Sequence, residues 1–343
     1  MWGFMMNNKQ RIAIGILIGL IIIVGVLILF TNIDNPTGAA IYGVKNIDLA
    51  INPVPNSALI FIAEEKGYFT EQELKINYHN FPTGKLALDA LIGGGADIAT
   101  TADVPIALAG LAGQDILVLA TIEYSNNNIQ VVARKDSGII TPADLKGKKI
   151  ATTNGGGPLF FTHKFLERNE IDISDVKLVY LNPSDMVAAL NKKDIDAFIV
   201  FEPSPAVAKR EIGNDKVTIF APTDLYGETW NIVVMNNFDN QNEGIIKKFI
   251  VALLKAEMFL KENKEESLDI VSKYSGIDKN LLADIMQKQT YGVVLNNLIV
   301  EYPKQEAEWA IKTRISSQNE VPNYYKLVNS QYLRELKPSA VTI

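Results

Sequence analysis

The most regular hydrophobic pattern in the chain is an unbroken run near its start. Every position from 12 to 30 is apolar or glycine, and a helix of that length spans about 28 Å, close to the ~30 Å core of a bilayer. Two basic residues precede the run, and the first charge after it is acidic. We therefore predict a membrane helix over 12–30, a cytoplasmic segment over 1–11, and a tether over 31–44 that leads to an extracytoplasmic domain.

A cleaved signal peptide is the alternative interpretation of this run, since Gly38-Ala39-Ala40 offers small residues for cleavage. The apolar part of a signal peptide usually has about 7–15 residues. This run is longer, and its small residues lie well beyond its end, which favours an uncleaved anchor. Both interpretations place the rest of the chain outside the cytoplasm.

After the tether, short apolar runs of the strand type alternate with segments of helical periodicity. This alternation is typical of an α/β fold with a largely parallel sheet. The predicted strands are 46–51, 74–81, 96–99, 116–122, 129–134, 148–152, 176–181 and 197–201. The predicted helices are 57–66, 83–92, 104–112, 158–169, 184–191 and, in a helical C-terminal part, 245–262.

The composition sets the size of the fold and excludes several classes of function. The 343 residues fit about two domains, and a net charge of −6 argues against a nucleic-acid surface. The absence of cysteine excludes disulfides, thiolate catalysis and cysteine-held metals, and two histidines leave little for a histidine-based metal site or a catalytic triad. We expect a binding protein rather than an enzyme, with no metal and no cofactor.

Polar or glycine-rich turns follow several predicted strands. In an open α/β sheet such turns meet at the carboxyl ends of the strands, where ligands bind. Helix N-termini there offer free N–H groups and a partial positive charge, so their convergence favours an anion. For any single turn, a plain helix N-cap is the simpler interpretation. The turns are 56–57, 83–84, 101–103, 154–157 and 183–184.

Individual side chains add candidates, each with an alternative. Glu202 follows a strand and could accept a hydrogen bond from an ammonium or hydroxyl group, or face solvent. Asp103 could do the same or cap its helix. Trp230, with Tyr226, could stack on a ligand or pack at a hinge. The loop 154–158 lacks the spacing of a nucleotide-binding loop, and its glycines would instead admit a small ligand close to the backbone.

The order of several motifs resembles the extracytoplasmic solute-binding proteins of nitrate, sulfonate and taurine ABC importers. Each motif alone is weak, but together they run in order over about 46–236. They are AEEKGYF at 63–69, FPTG at 81–84, ALIGGGADI at 90–98, ARKDSGI at 133–139, TPADLKGKKIA at 141–151, DIDA at 194–197 and EP at 202–203.

The resemblance implies a type II periplasmic-binding fold with two α/β lobes and a ligand cleft between them. The strands 129–134 and 231–235 would cross between the lobes. Lobe one would comprise 45–133 and 232–343, and lobe two 134–231. The C-terminal helices would pack on lobe one.

The resemblance also implies which residues bind the ligand. The family's anion-binding turns fall here at Ser57, Thr83, Gly84, Thr101, Asn154 and Gly155, and Glu202 matches its acidic-Pro turn. Together with the side-chain candidates, the predicted ligand-binding set is Ser57, Thr83, Gly84, Thr101, Asp103, Asn154, Gly155, Gly156, Glu202 and Trp230.

We therefore expect a membrane-tethered, monomeric substrate-binding component that delivers a small anion to an ABC permease and its cytoplasmic ATPase. An organic sulfonate or similar organic acid is the first choice of ligand. Nitrate, bicarbonate or a thiamine-precursor pyrimidine stacked on Trp230 are alternatives. An enzyme on the same fold is less favoured, because the enzymatic branch of the family relies on a cysteine-rich motif and this chain has no cysteine. A sensor domain on the same fold is also a less favoured alternative.

Overall fold

The computed structural model describes residues 43–343. The predicted membrane helix over 12–30, and the tether up to residue 42, lie outside the described residues. Within 43–343, none of the helices combines the length and the hydropathy that a bilayer crossing requires.

Six strands form the first sheet. Its order is β11-β4-β10-β3-β1-β2, with β1 parallel to β2 and β3, while β10 runs antiparallel between β3 and β4. The interior strands are buried along almost their whole length, as a sheet covered on both faces requires. The strands are β1 (Lys45–Ile51), β2 (Leu74–Asn80), β3 (Ile98–Ala102), β4 (Ile116–Ser125), β10 (Glu228–Met235) and β11 (Thr290–Val294).

Five strands form the second sheet, in the order β7-β6-β8-β5-β9. β6 is parallel to β7 and β8, and β5 runs antiparallel between β8 and β9. The strands are β5 (Ile129–Arg134), β6 (Lys149–Thr152), β7 (Lys177–Tyr180), β8 (Ala197–Phe201) and β9 (Val217–Phe220).

The two strands expected to cross between the lobes each lie inside one sheet. Ile129–Arg134 pairs on both edges within the second sheet, and 231–235 belongs to β10, which pairs on both edges within the first. The chain instead passes between the sheets at 126–128, the first connection, and at 221–227, the second connection. The second sheet spans 129–220, whereas lobe two was predicted over 134–231.

Helices cover the sheets. In the helix Glu243–Glu262 (α9), the buried side chains Ile246, Phe249, Ile250 and Leu253 recur at intervals of three and four residues and so form an apolar stripe. This helix packs on the helix Ala58–Glu65 (α1). α12 packs on α4 beside the first sheet, as expected for the C-terminal helices. The helices are α1 (Ala58–Glu65), α2 (Tyr68–Glu71), α3 (Gly84–Ile92), α4 (Asp103–Leu111), α5 (Gly157–Arg168), α6 (Pro183–Asn191), α7 (Ser204–Glu211), α8 (Asn236–Gln241), α9 (Glu243–Glu262), α10 (Lys264–Ser275), α11 (Lys279–Met286), α12 (Leu298–Lys312) and α13 (Gln331–Leu336).

The C-terminal segment is held against α4 by a close contact at Gly110. A Cβ atom on Gly110 would lie 2.6 Å from Cε1 of Tyr324 and 3.0 Å from Cδ1 of Leu327. The buried Tyr324 hydroxyl donates a hydrogen bond of 2.7 Å to the carbonyl of Ala107. Only glycine at position 110 allows the ring to approach the helix this closely.

We predict that Gly110→Ala lowers the free energy of unfolding by about 1–3 kcal/mol, because the added methyl group displaces Tyr324. The matched control is Gly244→Ala in α9, where an added Cβ meets no atom within 4 Å and should be neutral or stabilising by up to about 1 kcal/mol. Urea denaturation of both variants checks this, and equal stability of the two would contradict the packing described.

Candidate functional site

A small cavity of about 30 Å³ lies between the two sheets. Its walls come from the carboxyl ends of strands and the helix N-termini that follow them, the location at which open α/β sheets bind ligands. From the first sheet and its helices come Asn52, Val54, Asn56, Thr83, Gly84, Lys85, Ala102, Pro105, Glu228 and Trp230; from the second come Thr153, Gly156, Gly157, Pro158 and Phe201, with Asn128 in the first connection.

The N-terminus of α3 forms one wall. Thr83 is its N-cap, and its hydroxyl oxygen accepts a hydrogen bond of 3.2 Å from the backbone N–H of Leu86. Helix geometry leaves the N–H groups of Gly84 and Lys85 without an intrahelical acceptor. The Lys85 ammonium forms an ion pair of 2.6 Å with Asp89 one turn later.

The N-terminus of α5 forms the facing wall. Gly155 and Gly156, just before it, both have positive φ (92° and 75°), a conformation that other residues rarely adopt. A Cβ on Gly157 would lie 2.9 Å from Oε1 of Glu228, so glycine lets this helix start approach the first sheet. Asn154, at the beginning of the loop, is exposed and does not line the cavity.

Trp230 contributes an indole that is 5% exposed. Its Nε1 donates a hydrogen bond of 3.1 Å to the Ser57 hydroxyl, which itself donates 3.0 Å to the carbonyl of Asn52. The tip of the ring lies over Gly84, where a Cβ would be only 2.7 Å from Cη2. Ser57 is fully buried outside the lining, and its contacts orient Trp230.

Thr101 and Asp103 lie behind the cavity wall. Thr101 is fully buried on β3, and its hydroxyl has no partner among the described residues. The carboxylate of Asp103 accepts hydrogen bonds from the hydroxyl of Tyr226, from the backbone N–H of Val104 (2.9 Å), and from the N–H (2.8 Å) and hydroxyl (3.2 Å) of Thr229. Burial raises the pKa of Asp103 even though these hydrogen bonds oppose the rise.

Glu202 points away from the cavity. Its carboxylate accepts hydrogen bonds of 3.0 Å from Nε2 of Gln130 and 3.0 Å from the backbone N–H of Ala206 in α7. Phe201, the last residue of β8, lines the cavity, whereas Glu202 lies in the turn that follows and is not part of the lining. Burial raises the pKa of Glu202 to about 7.

The sequence analysis did not single out the most buried charge of the cavity, Glu228. Its Oε2 accepts a hydrogen bond from Nδ2 of Asn128. Burial, and secondly the charge of Asp103, raise the pKa of the Glu228 carboxyl to about 8. The available signal was spacing: a strand places residues i and i+2 on one face, so Glu228 shares the face of Trp230.

Two further buried carboxyls stand close to Glu228. Burial raises the pKa of both Glu123 and Glu306 well above the ordinary value, and neighbouring carboxylates add to the effect. Oε2 of Glu123 accepts a hydrogen bond of 2.7 Å from Asn56. Within 43–343, no group of three or more potential ligand side chains has the geometry of a metal site.

The structure thus brings four of the ten predicted ligand-binding residues into the cavity lining. Four others lie beside or behind the lining, and the exposed Asn154 and the outward-facing Glu202 lie apart from it. Asn52, Lys85, Asn128 and Glu228 are polar lining residues that the sequence analysis did not propose, and Asn56 was included only as part of the turn 56–57. The four in the lining are Thr83, Gly84, Gly156 and Trp230; the four adjacent to it are Ser57, Thr101, Asp103 and Gly155.

Known proteins share both the sequence pattern and the fold. The family model described as NMT1/THI5 like matches residues 54–267. A Bacillus subtilis protein provisionally named an aliphatic sulfonates-binding protein is 23% identical over 302 residues, which cover 86% of this chain and 90% of that protein. The taurine-binding periplasmic protein of Escherichia coli is 23% identical over 231 residues, covering 64% and 70%.

Solved structures show the same two-sheet architecture. The periplasmic aliphatic sulphonate binding protein SsuA of Escherichia coli matches with a TM-score of 0.70 at 20% identity, covering 84% of this chain and 98% of that one. The periplasmic nitrate-binding protein NrtA of Synechocystis PCC 6803 matches with a TM-score of 0.72 at 16% identity, covering 86% and 89%. The predicted family resemblance and the predicted periplasmic-binding fold are confirmed.

The raised pKa values predict how stability depends on pH. A carboxyl whose pKa is raised by folding keeps a proton that the unfolded chain releases, so its stabilisation is complete below the ordinary value of 4.5 and is lost as the pH rises through about 8. We expect the melting temperature of the ligand-free protein to fall between pH 5 and pH 8. Glu228→Gln should reduce the pH dependence of the free energy of unfolding by up to about 1.4 kcal/mol per pH unit. Its melting temperature should therefore fall less steeply with pH than that of wild type.

Thermal melts at several pH values check this. Glu301→Gln, at an exposed position, is the matched control and should keep the wild-type slope. Identical slopes for wild type and Glu228→Gln would show that Glu228 does not hold a proton in this range.

Proposed function

The chain belongs to the NMT1/THI5-like family, and on that premise we propose that it is the substrate-binding component of an ABC importer for a small organic anion. The observation that carries the proposal is the convergence of two helix N-termini, one from each sheet, on one cavity. These are the starts of α3 at Gly84 and Lys85 and of α5 at Gly156 and Gly157.

Electrostatics supports an anion in this cavity. A helix N-terminus carries about half a positive charge, and one such end stabilises an anion by about 0.3–1 kcal/mol, rising to about 2 kcal/mol when partly buried. The Lys85 side chain lies at the same wall, where the ion pair with Asp89 offsets part of its positive charge. Sulfonate, carboxylate and nitrate groups all present oxygens that can accept hydrogen bonds from these backbone N–H groups.

Apolar side chains also line the cavity. Trp230, Phe201, Pro105 and Val54 supply apolar surface next to the N–H groups. Burial of such surface favours an organic sulfonate or similar organic acid over a bare inorganic anion. The relatives named for sulfonates and taurine support the same class of ligand.

The mechanism follows from the position of the two helix ends on different sheets. A ligand that binds α3 and α5 at once stabilises the arrangement in which the two sheets lie close together, and such differential affinity is what drives closure. The two walls already meet at this point: a Cβ on Gly155 would lie 3.3 Å from Cδ of Lys85. The closed form is the shape that a permease would recognise.

The remaining parts of the proposal concern partners and location. The apolar run over 12–30 would tether the domain to the outer face of the cell membrane. A permease with its cytoplasmic ATPase would receive the ligand from a monomeric binding domain. We propose no catalytic residue, so the bound ligand should be recovered unchanged after incubation.

We predict that the full chain binds small sulfonates and that Gly84→Ala weakens this binding at least about tenfold. The added methyl group would stand 2.7 Å from the Trp230 ring and force the indole or the α3 N-terminus to move. Leu86→Ala, on the exposed side of the same helix, is the matched control and should bind like wild type.

Isothermal titration with ethanesulfonate, taurine, nitrate, bicarbonate and a thiamine-precursor pyrimidine tests the ligand class. A thermal-shift assay gives a second measurement, since a ligand at 100 times its Kd adds about 2.7 kcal/mol of stability. Absence of binding by every sulfonate would contradict the proposed function. Tight binding of the pyrimidine alone would replace the organic acid with an aromatic ligand.

A further inference from the structure

Glu306 occupies an apolar position of α12. Buried residues of this helix recur at positions 299, 303, 306 and 310, which places them on one face, and the helix packs on α4. Glu306 belongs to this face and is only 1% exposed. A carboxyl group is almost never buried so deeply without a polar partner, so Glu306 requires one.

That partner is another carboxyl group. Neither Oε1 nor Oε2 of Glu306 accepts a hydrogen bond from an N–H or O–H group of 43–343. The carboxyl of Asp103, at the start of α4, lies within hydrogen-bonding reach. Two ionised carboxylates offer each other only acceptors, whereas a protonated carboxyl has one O–H donor. The contact between Glu306 and Asp103 therefore requires a proton on one of the two.

The hydrogen bonds of Asp103 assign this proton to Glu306. Asp103 accepts from the hydroxyl of Tyr226, from the backbone N–H of Val104, and from both the N–H and the hydroxyl of Thr229. Such donors stabilise an ionised carboxylate, and Glu306 has none within 43–343. Burial raises the pKa of the Glu306 carboxyl well above its ordinary value, and the charge of Asp103 raises it further.

The surroundings of the pair oppose a second negative charge. Lys164 on α5 lines an open groove together with Glu306, but within 43–343 no ion pair joins them. Ionisation of Glu306 would place two like charges in contact at a buried position, which is unfavourable. The titratable groups that face the pair are Glu123 on β4, Glu228 on β10, Tyr226 in the second connection, Tyr302 on α12 and Tyr324 in the C-terminal segment.

We propose that Glu306 is a positioning residue of the binding site, whose neutral carboxyl donates a hydrogen bond to Asp103 and so joins α12 to the second connection and to the start of β10. Asp103 holds Tyr226 and Thr229 directly. Thr229 stands between Glu228 and Trp230, which both line the cavity. Loss of the proton would break this link and let the second connection shift, so the cavity keeps its shape only while Glu306 is protonated.

Infrared spectroscopy of the ligand-free full chain tests where the proton lies. At neutral pH, wild type should show a C=O stretching band of a protonated carboxyl that is lost in Glu306→Gln. Glu301→Gln, at an exposed position of the same helix, is the matched control and should leave this band unchanged. Identical bands in wild type and Glu306→Gln would overturn the inference, because Glu306 would then be ionised.

The positioning role rests on the proposed function, since its readout is ligand affinity. Isothermal titration with ethanesulfonate at neutral pH should show wild-type affinity in Glu306→Gln, because the amide N–H can donate to Asp103. Glu306→Leu has a similar size but no donor, and it should bind at least about tenfold more weakly, the scale of one lost hydrogen bond to a charged group. Wild-type affinity in Glu306→Leu would overturn the inference.

A measurement on wild type keeps the test independent of how the variants fold. Its affinity for ethanesulfonate should fall as the pH rises through the range in which the C=O band disappears, and Glu306→Gln should lack this fall. An affinity that stays constant while the band disappears would overturn the inference and leave the proposed function standing. Failure of every sulfonate to bind would overturn the proposed function, whereas the infrared band of the ligand-free protein would still decide where the proton lies.

Discussion

The hydrogen bonds of the buried Asp103 carboxylate hold the candidate site together. They join the start of α4, the second connection through Tyr226, and the first residues of β10 through Thr229. Thr229 stands between Glu228 and Trp230, so the same bonds fix the position of both side chains in the cavity. A buried carboxylate is costly unless it is fully hydrogen-bonded, and here four donors satisfy it.

An anion-binding cavity beside several buried carboxyls is electrostatically consistent for a simple reason. Burial raises the pKa of Glu228 to about 8, so this carboxyl of the lining is largely protonated at neutral pH and adds little negative charge beside the helix N-termini. The positive potential comes from backbone N–H groups of two helices, which do not titrate.

The sequence predicted the alternating α/β fold and part of the cavity lining, because both depend on local patterns. Thr83 and Gly84 were proposed from a polar turn before a predicted helix, and Gly156 from a glycine-rich turn. In the structure Thr83 caps α3, and Gly156 has a positive φ. Glu202 lies outside the cavity lining. Its direction follows from hydrogen bonds to Gln130 on β5 and to Ala206 in α7, which no local pattern indicates.

Long-range contacts decided the remaining residues. Ser57 is a helix-start serine by sequence, and only the indole of Trp230, 173 positions away, turns it into a positioning group. Asn128 and Glu228 are 100 positions apart, and their pairing arises where the two connections meet. Strand spacing places Glu228 on the face of Trp230, but no local pattern indicates that its carboxyl is buried beside an asparagine from another loop.

The pairing of Asn128 with Glu228 also bears on the order in which a ligand is captured. Asn128 belongs to the first connection, and Glu228 directly follows the second, so their hydrogen bond lies where the chain twice passes between the sheets. Groups near a bending axis move least when two lobes separate. The helices α3 and α5 follow strands of different sheets, so their N-termini would move apart. Asn128 and Glu228 would thus stay paired in an open molecule, and an incoming ligand would meet this pair before the two helix N-termini close on it.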